Sequence, residues 1–290
     1  MAVIIDNPQL VETPAVGPLR YGVFTAATVT DDLSARDIAA GFQFAAPDCG
    51  PVTMTEAPCA PADAVAKDMN EGLPYMEGLP YWLYSTRQCG ILGRTQAELS
   101  ASVRRRLTGG EQGQVEAAIW GTGVLATTPS LTTDTGVVTV TPGAPGAGAA
   151  IAALEQSFYD AYGFVGTIHV NTAAYAALAY AELISDAPSA GVLRTPIGSL
   201  WSIGAGYGVD GPLGVEPVAG SVWAFMTPPV WIRRSTIITQ DDFRAALDRE
   251  FNQYVGLQER VYAHAWTCPV VHAVELPIAA PAVTTLVVGP

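Results

Sequence analysis

An α+β fold is predicted from three features of the sequence. Residues 95–120 form one long helical stretch, 151–184 read as helix, strand and helix, and short β-type segments lie on either side of both. The helical reading rests on apolar positions three to four residues apart, and the β reading on short apolar runs bounded by turn residues.

In chain order, residues 1–20 carry Pro8, Pro14 and Pro18 and predict an extended arm, because proline removes a donor and restrains its neighbour. Residues 21–30 and 41–44 have strand character, and the turn-rich 47–61 follows. So broken a passage is unusual inside a compact domain unless it is functional or packs elsewhere. At 95–120, Leu99, Val103, Leu107, Val115 and Ile119 recur at helical spacing, and Thr95 with Glu98 forms a capping box. Gly109-Gly110 predicts two helices or one kinked rod, and Gly121-Thr-Gly123 predicts the end.

A strand is predicted at 136–141, then helix at 151–162, strand at 167–170 and helix at 173–184, the last capped by Asn171-Thr172. Strands are predicted at 200–204, 221–226 and 230–235, a helix at 241–248, and strand character again over 260–276. The tail, 277–290, is apolar and proline-bounded with no core of its own. Both terminal arms are expected to be held down by neighbouring subunits, since the arms of a monomer are usually loose.

Composition narrows the function. The chain is 49% hydrophobic and 14% charged, against about 25% charged in an ordinary soluble domain. So little charge leaves too few polar groups to cover a monomer, which predicts burial against other subunits. No apolar run reaches the roughly 18 residues of a spanning helix, and the N-terminus does not resemble a signal peptide. With a net charge of −13 and a single lysine, Lys67, the chain is not a sequence-reading nucleic-acid protein. A container for DNA remains compatible, because enclosure does not need a grip on every phosphate. The four cysteines, Cys49, Cys59, Cys89 and Cys268, match no zinc or redox-motif spacing and predict reduced, mostly buried thiols.

Chemical motifs reduce to structural ones. Gly204-Ala-Gly206-Tyr-Gly208 departs from a nucleotide loop, because its third glycine comes too early and no capped helix follows. His169, His264 and His272 have no nucleophile elbow beside them. The last two, on one predicted strand, would stand about 26 Å apart, too far to share a metal. Asp241-Asp242 suits a helix start, and Asp31-Asp32 on a strand would point to opposite faces. Arg104-Arg105-Arg106 fans about 200° around a helix, which predicts ion pairing within the chain or across an interface, with contact to enclosed DNA as the alternative. Trp120, Trp201, Trp223, Trp231 and Trp266 lie in apolar surroundings and are predicted core. Tyr75-Met76, Tyr81-Trp82 and Tyr84, broken by Gly and Pro, are predicted contact surface.

Taken in order, these pieces resemble the Hong Kong 97-type (HK97-like) capsid fold of tailed bacteriophages. The stretch from Glu111 through Val115, Ile119 and Trp120 to Gly121-Thr-Gly123 is similar to that family's spine helix and its Gly-x-Gly exit. Residues 151–175, ending Asn171-Thr-Ala-Ala-Tyr175, resemble the axial-domain helix, strand and second helix start. The runs 221–226 and 230–235 resemble the strand pair that follows, and Phe251-Asn252 with Gln258-Glu259-Arg260 resembles the return strand. Gly17-Pro-Leu-Arg-Tyr-Gly22 and Pro47-Asp-Cys-Gly50 also resemble capsid proteins of phages infecting actinobacteria.

The resemblance implies an N-arm at 1–24, an extended loop with flanking strands at 25–80, and a peripheral domain with the spine helix at 81–145. An axial domain at 146–250, a return to the peripheral domain at 251–276 and a C-terminal arm at 277–290 complete it. It also implies a non-enzymatic shell protein without cofactor or metal, assembling with copies of itself and with portal and scaffolding proteins around double-stranded DNA. The candidate subunit interface is Tyr75, Tyr81, Trp82, Tyr84, Arg104, Arg105, Glu259 and Arg260, with Glu259 and Arg260 pairing at the root of the peripheral sheet. The family's type member cross-links subunits through lysine. Here Lys67 has no recognisable partner, so no covalent chainmail is expected. With Met1 at its start the chain is expected to lose no leading segment and to use a separate scaffold. The rivals are an encapsulin compartment, a β-rich hydrolase and another virion part such as a tail-tube or decoration protein.

Overall fold

A computed structural model describes residues 17–46, 49–50, 75–90, 95–121, 129–187, 191–239, 247–248, 250 and 253–278. Lys67, Cys59, Asp241-Asp242, most of both arms and the segment 51–74 lie outside the described residues.

The chain opens with α1 (Val23–Ala26), β1 (Thr28–Thr30), α2 (Ala35–Ala40) and β2 (Phe42–Ala45), and resumes at β3 (Tyr75–Gly78) and β4 (Tyr81–Gly90). The long helix α3 (Gln96–Trp120), β5 (Val138–Val140), α4 (Ala147–Tyr162), β6 (Thr167–Asn171), α5 (Tyr175–Tyr180), β7 (Ser185–Ala187), β8 (Val192–Arg194) and β9 (Leu200–Gly204) follow. The last strands are β10 (Ser221–Thr227), β11 (Val230–Arg234), β12 (Ile238–Thr239), β13 (Leu247–Asp248), β14 (Gln253–Trp266) and β15 (His272–Pro277).

Two sheets carry the fold. The first has the order β5-β15-β10-β6-β9-β8-β7. In the second, β14 is the hub: it pairs antiparallel with β4, β11, β12 and β13, while β1 lies parallel to β11. A small ribbon, β2 with β3, pairs with neither sheet but packs Phe42 and Phe44 on Trp231, Val261, Ala263 and Ala265 of the second. The chain passes between the sheets three times, from β4 through α3 to β5, and by short connections from β10 to β11 and from β14 to β15, so the two share a seam.

A buried cluster backs each sheet. Ile151, Leu154 and Phe158 of α4 pack with Ile168, Trp201, Met226 and Val274. Val115, Ile119 and Trp120 of α3 pack with Phe225, Ile232 and Tyr262, the Trp120 and Phe225 rings meeting edge to face at 4.9 Å. Gly256 lets α3 lie close on β14, because a Cβ there would stand 3.0 Å from Val103 Cγ2.

The predicted α3 holds at both ends. Thr95 and Glu98 form the capping box, and Gly121, at φ +100°, ends the helix in the left-handed region. The predicted break at Gly109-Gly110 is absent: α3 runs through it as one helix. Each glycine costs about 1 kcal/mol of helix propensity, which the buried Leu107, Glu111, Gln112 and Val115 around the pair outweigh.

Other expectations need correction. Residues 21–30 begin as α1 rather than strand, because the Glu116 carboxylate accepts from the Val23 N–H at 3.2 Å and fixes a turn there. The helix predicted over 173–184 stops at Tyr180; Glu182 has φ +56° and β7 follows. Leu247–Asp248 pair as strand with β14 where helix is predicted, and 241–246 lie outside the described residues. Cys49 and Cys268 are joined in a disulfide, not held as free thiols: the fold brings together residues 219 apart, which spacing motifs cannot register. His264 and His272 sit on separate strands rather than on one.

Candidate subunit-contact surface

Strand β4 divides the aromatic cluster between two faces. Successive side chains alternate, so Tyr81 and Ser85 turn inward while Trp82 and Tyr84 turn out, 49% and 68% exposed. Tyr75 on β3 is 63% exposed. Tyr81, expected at the contact surface, is instead core: its ring stacks on Tyr262, and its hydroxyl lies 3.3 Å from His264 Nδ1.

Helix α3 lies along the inner side of β4 and turns Arg104, Arg105 and Arg106 to solvent. Among the described residues no ion pair reaches any of the three. The intrachain pairing weighed from the sequence is therefore not what the described residues show, and their charge is open to an outside anion. A shallow groove between α3 and β4 is lined by Trp82, Tyr84, Arg106, Gly110 and Gln114. Aromatic rings beside arginine are the composition of well-packed protein contacts.

Arg260 is not part of that outer face, nor does it pair with Glu259, because neighbours on a strand point to opposite sides. Its guanidinium lies 3.2 Å from Glu111 of α3 and 3.6 Å from Asp31, with Arg234 bound to Asp31. Tyr262 donates to Glu111 at 2.7 Å, and Arg233 reaches Asp32 and Asp37. This network ties α3, β14, β11 and the β1–α2 turn together. The hydrogen bond from Arg234 holds the Asp31 carboxyl below its usual range, and Arg233 does the same for Asp32. Asp31 and Asp32 anchor this network from just beyond the end of β1, not from within a strand as the sequence reading assumed.

The three histidines are also structural. His264 Nε2 donates to the Pro129 carbonyl at 2.8 Å. His169 lies 2.9 Å from both the Tyr207 hydroxyl and Thr227 Oγ1, and His272 Nδ1 lies 2.9 Å from Ser157 Oγ. Burial pushes His169 down to about 3 and His264 to about 4, so both are neutral near pH 7. The glycine run at 204–208 is a tight seat for Glu116: its carboxylate accepts from the Gly206 N–H at 3.0 Å, and a Cβ on Gly204 would come within 2.3 Å of it. Burial raises the Glu116 carboxyl against these bonds. Among the described residues no group of three or more His, Cys, Asp or Glu could hold a metal, and no helix is long and apolar enough to cross a membrane.

Sequence reasoning missed a second apolar surface. Tyr180, at the end of α5, is 78% exposed, and Ile197, Leu213 and Val218, in connections between strands, are 63%, 67% and 68% exposed. The available signal was large apolar residues set among turn formers, as in Gly211-Pro212-Leu213-Gly214.

No protein-family model matches the sequence, and no curated protein does. Solved structures do. The chain is similar to the capsid of Ralstonia phage GP4 at 11% identity and TM-score 0.54, over 97% of this chain and 99% of that one. It is similar to the capsid of a native GTA particle at 12% identity and TM-score 0.57, over 94% and 96% of the two chains. A structure from Mycobacterium phage Bobi matches at 15% identity and TM-score 0.52, over 97% and 96%. At such identities the likeness is one of fold: the chain has the mixed helix-and-sheet fold of these capsid structures across nearly its whole length.

Proposed function

We propose that the chain is a shell-forming structural protein. In particular, it is the major capsid protein of a tailed bacteriophage, assembling into the pentamers and hexamers of an icosahedral shell around double-stranded DNA. The observation that carries this reading is a capsid fold matched from end to end. A surface poor in charge, with Trp82, Tyr84 and Leu213 exposed on it, supports it independently. Both capsid matches favour a phage shell over an encapsulin. The motif likeness at 17–22 and 47–50 carries the narrower reading of an actinobacterial host, because the fold is shared with a Ralstonia phage as well.

In this reading α3 is the spine helix of a peripheral domain at 81–145 and 251–276, whose β4 and β14 are joined in their sheet by β1 and β11–β13 from outside those bounds. The axial domain at 146–250 holds α4 and β6–β10, whose sheet is completed by β5 and β15 from the peripheral segments, 1–24 and 277–290 are arms, and 25–80 is the extended loop. Tyr75, Trp82, Tyr84, Arg104 and Arg105 face neighbouring copies, while Tyr81 and Arg260 hold the subunit together. Portal and scaffolding proteins are the further partners, and assembly takes place in the host cytoplasm before the chain becomes part of the virion.

The test is size-exclusion chromatography with negative-stain microscopy on the protein expressed alone and with its native partners. Closed shells or capsomer rings are expected. The W82S/Y84S double variant should lose them while melting within about 2 °C of wild type, since exposed positions carry little folding energy. A stable monomer or small oligomer under every condition would overturn the reading.

A further inference from the structure

The disulfide between Cys49 and Cys268 has no part in the shell reading, and its surroundings define how it can form. Cys268 is 1% exposed, in the turn that carries the chain from β14 in one sheet to β15 in the other. Cys49 is half-buried, four residues beyond the end of β2. Beside the bond a recess opens to the surface, lined by Phe44, Ala46, Phe164, Pro229, Thr267 and Cys268. The core does not need the bond: Cys268 is one member of a large apolar cluster that Leu154, Phe158, Ile168 and Trp201 complete without it. With the partners 219 positions apart in sequence, the two thiols meet only after both sheets have assembled.

We propose that Cys49 and Cys268 form a post-folding covalent staple: a dithiol while the chain folds in a reducing compartment, and a disulfide once it meets a small disulfide oxidant, with Cys49 as the thiol the oxidant reaches. The Cys49 thiolate attacks one sulfur of the oxidant and expels the other as a thiol, leaving a mixed disulfide on Cys49. Cys268, already in place, then attacks the Cys49 sulfur and expels the second thiol. Two electrons leave the protein dithiol, the oxidant is reduced to two thiols, and the two cysteine protons end on them. The order follows from burial, since a thiol this enclosed meets no bulky disulfide but does meet a neighbour across the turn. The staple fastens the chain beyond β2 to the seam of the two sheets. It goes beyond the shell reading and does not depend on it.

The test uses the purified full-length chain, reduced, freed of reductant and exposed to oxidised glutathione, then quenched by alkylation and mapped by peptide mass. The reduced wild type should melt cooperatively, close Cys49–Cys268, and gain roughly 9 °C that reductant abolishes, the shift given by a closed loop of this length. C268S should accumulate a glutathione adduct on Cys49, folded C49S should carry none on Cys268, and the C49S/C268S double variant should melt identically with and without reductant. Labelling of Cys268 in folded C49S as fast as Cys49 in C268S would overturn the proposal. So would failure of the reduced chain to fold, or closure between other cysteines.

Discussion

Mild acid should loosen this protein through two buried histidines. His169 and His264 are fully buried, and burial holds them at about 3 and about 4. In an unfolded chain each takes up a proton near the ordinary value of about 6.5. The folded-state values are the lower ones, so this stability is present above about pH 6.5 and is lost as the pH falls toward 4. By proton linkage, moving from neutral pH to about pH 4.5 costs about 2.5 kcal/mol per histidine, or about 5 kcal/mol for the pair. For a chain of 290 residues that is a fall of roughly 8 °C in melting temperature. Glu116, raised by burial, acts the other way and trims the fall, because the folded state takes up its proton first. The Asp31 and Asp32 carboxyls are lowered, so their ion pairs weaken only at pH below the ordinary carboxylate range, outside this window. Calorimetric melts across the range read the profile, with His169→Gln and His264→Asn as the variants that should flatten it. A melting temperature that does not change between neutral pH and pH 4.5, or a slope the double variant leaves intact, would refute the reasoning.

Two further substitutions probe the joints. Gly110→Ala should raise stability by about 0.5–1 kcal/mol in urea denaturation, because a Cβ there meets nothing within 4 Å and alanine favours the helix. Gly206→Ala should lower it by about 2 kcal/mol, because its Cβ would fall 1.9 Å from the Gly113 carbonyl. Arg260→Met should cost about 3 kcal/mol by leaving the 7% exposed Glu111 short of its nearest cation, and Glu111→Gln in the same background should recover part of that loss.

Much of the fold was legible in the sequence, and the parts that were not share a cause. Local pattern determined α3, its capping box and its glycine exit, the strand at 167–170, and the burial of Trp120, Trp201 and Trp266, because caps and periodicity act within a few residues. The letters of β4, with Tyr81, Trp82, Leu83 and Tyr84 in a row, do not say which face is apolar, and only pairing with β14 decided that Tyr81 turns inward and Trp82 outward, since a strand's register chooses which face meets the core. The helix through Gly109-Gly110, the turn at Val23 set by Glu116, the Arg260–Glu111 pair and the Cys49–Cys268 bond were decided by tertiary structure alone. Each depends on burial or on partners from elements distant in sequence, and sequence spacing carries no record of distances in space.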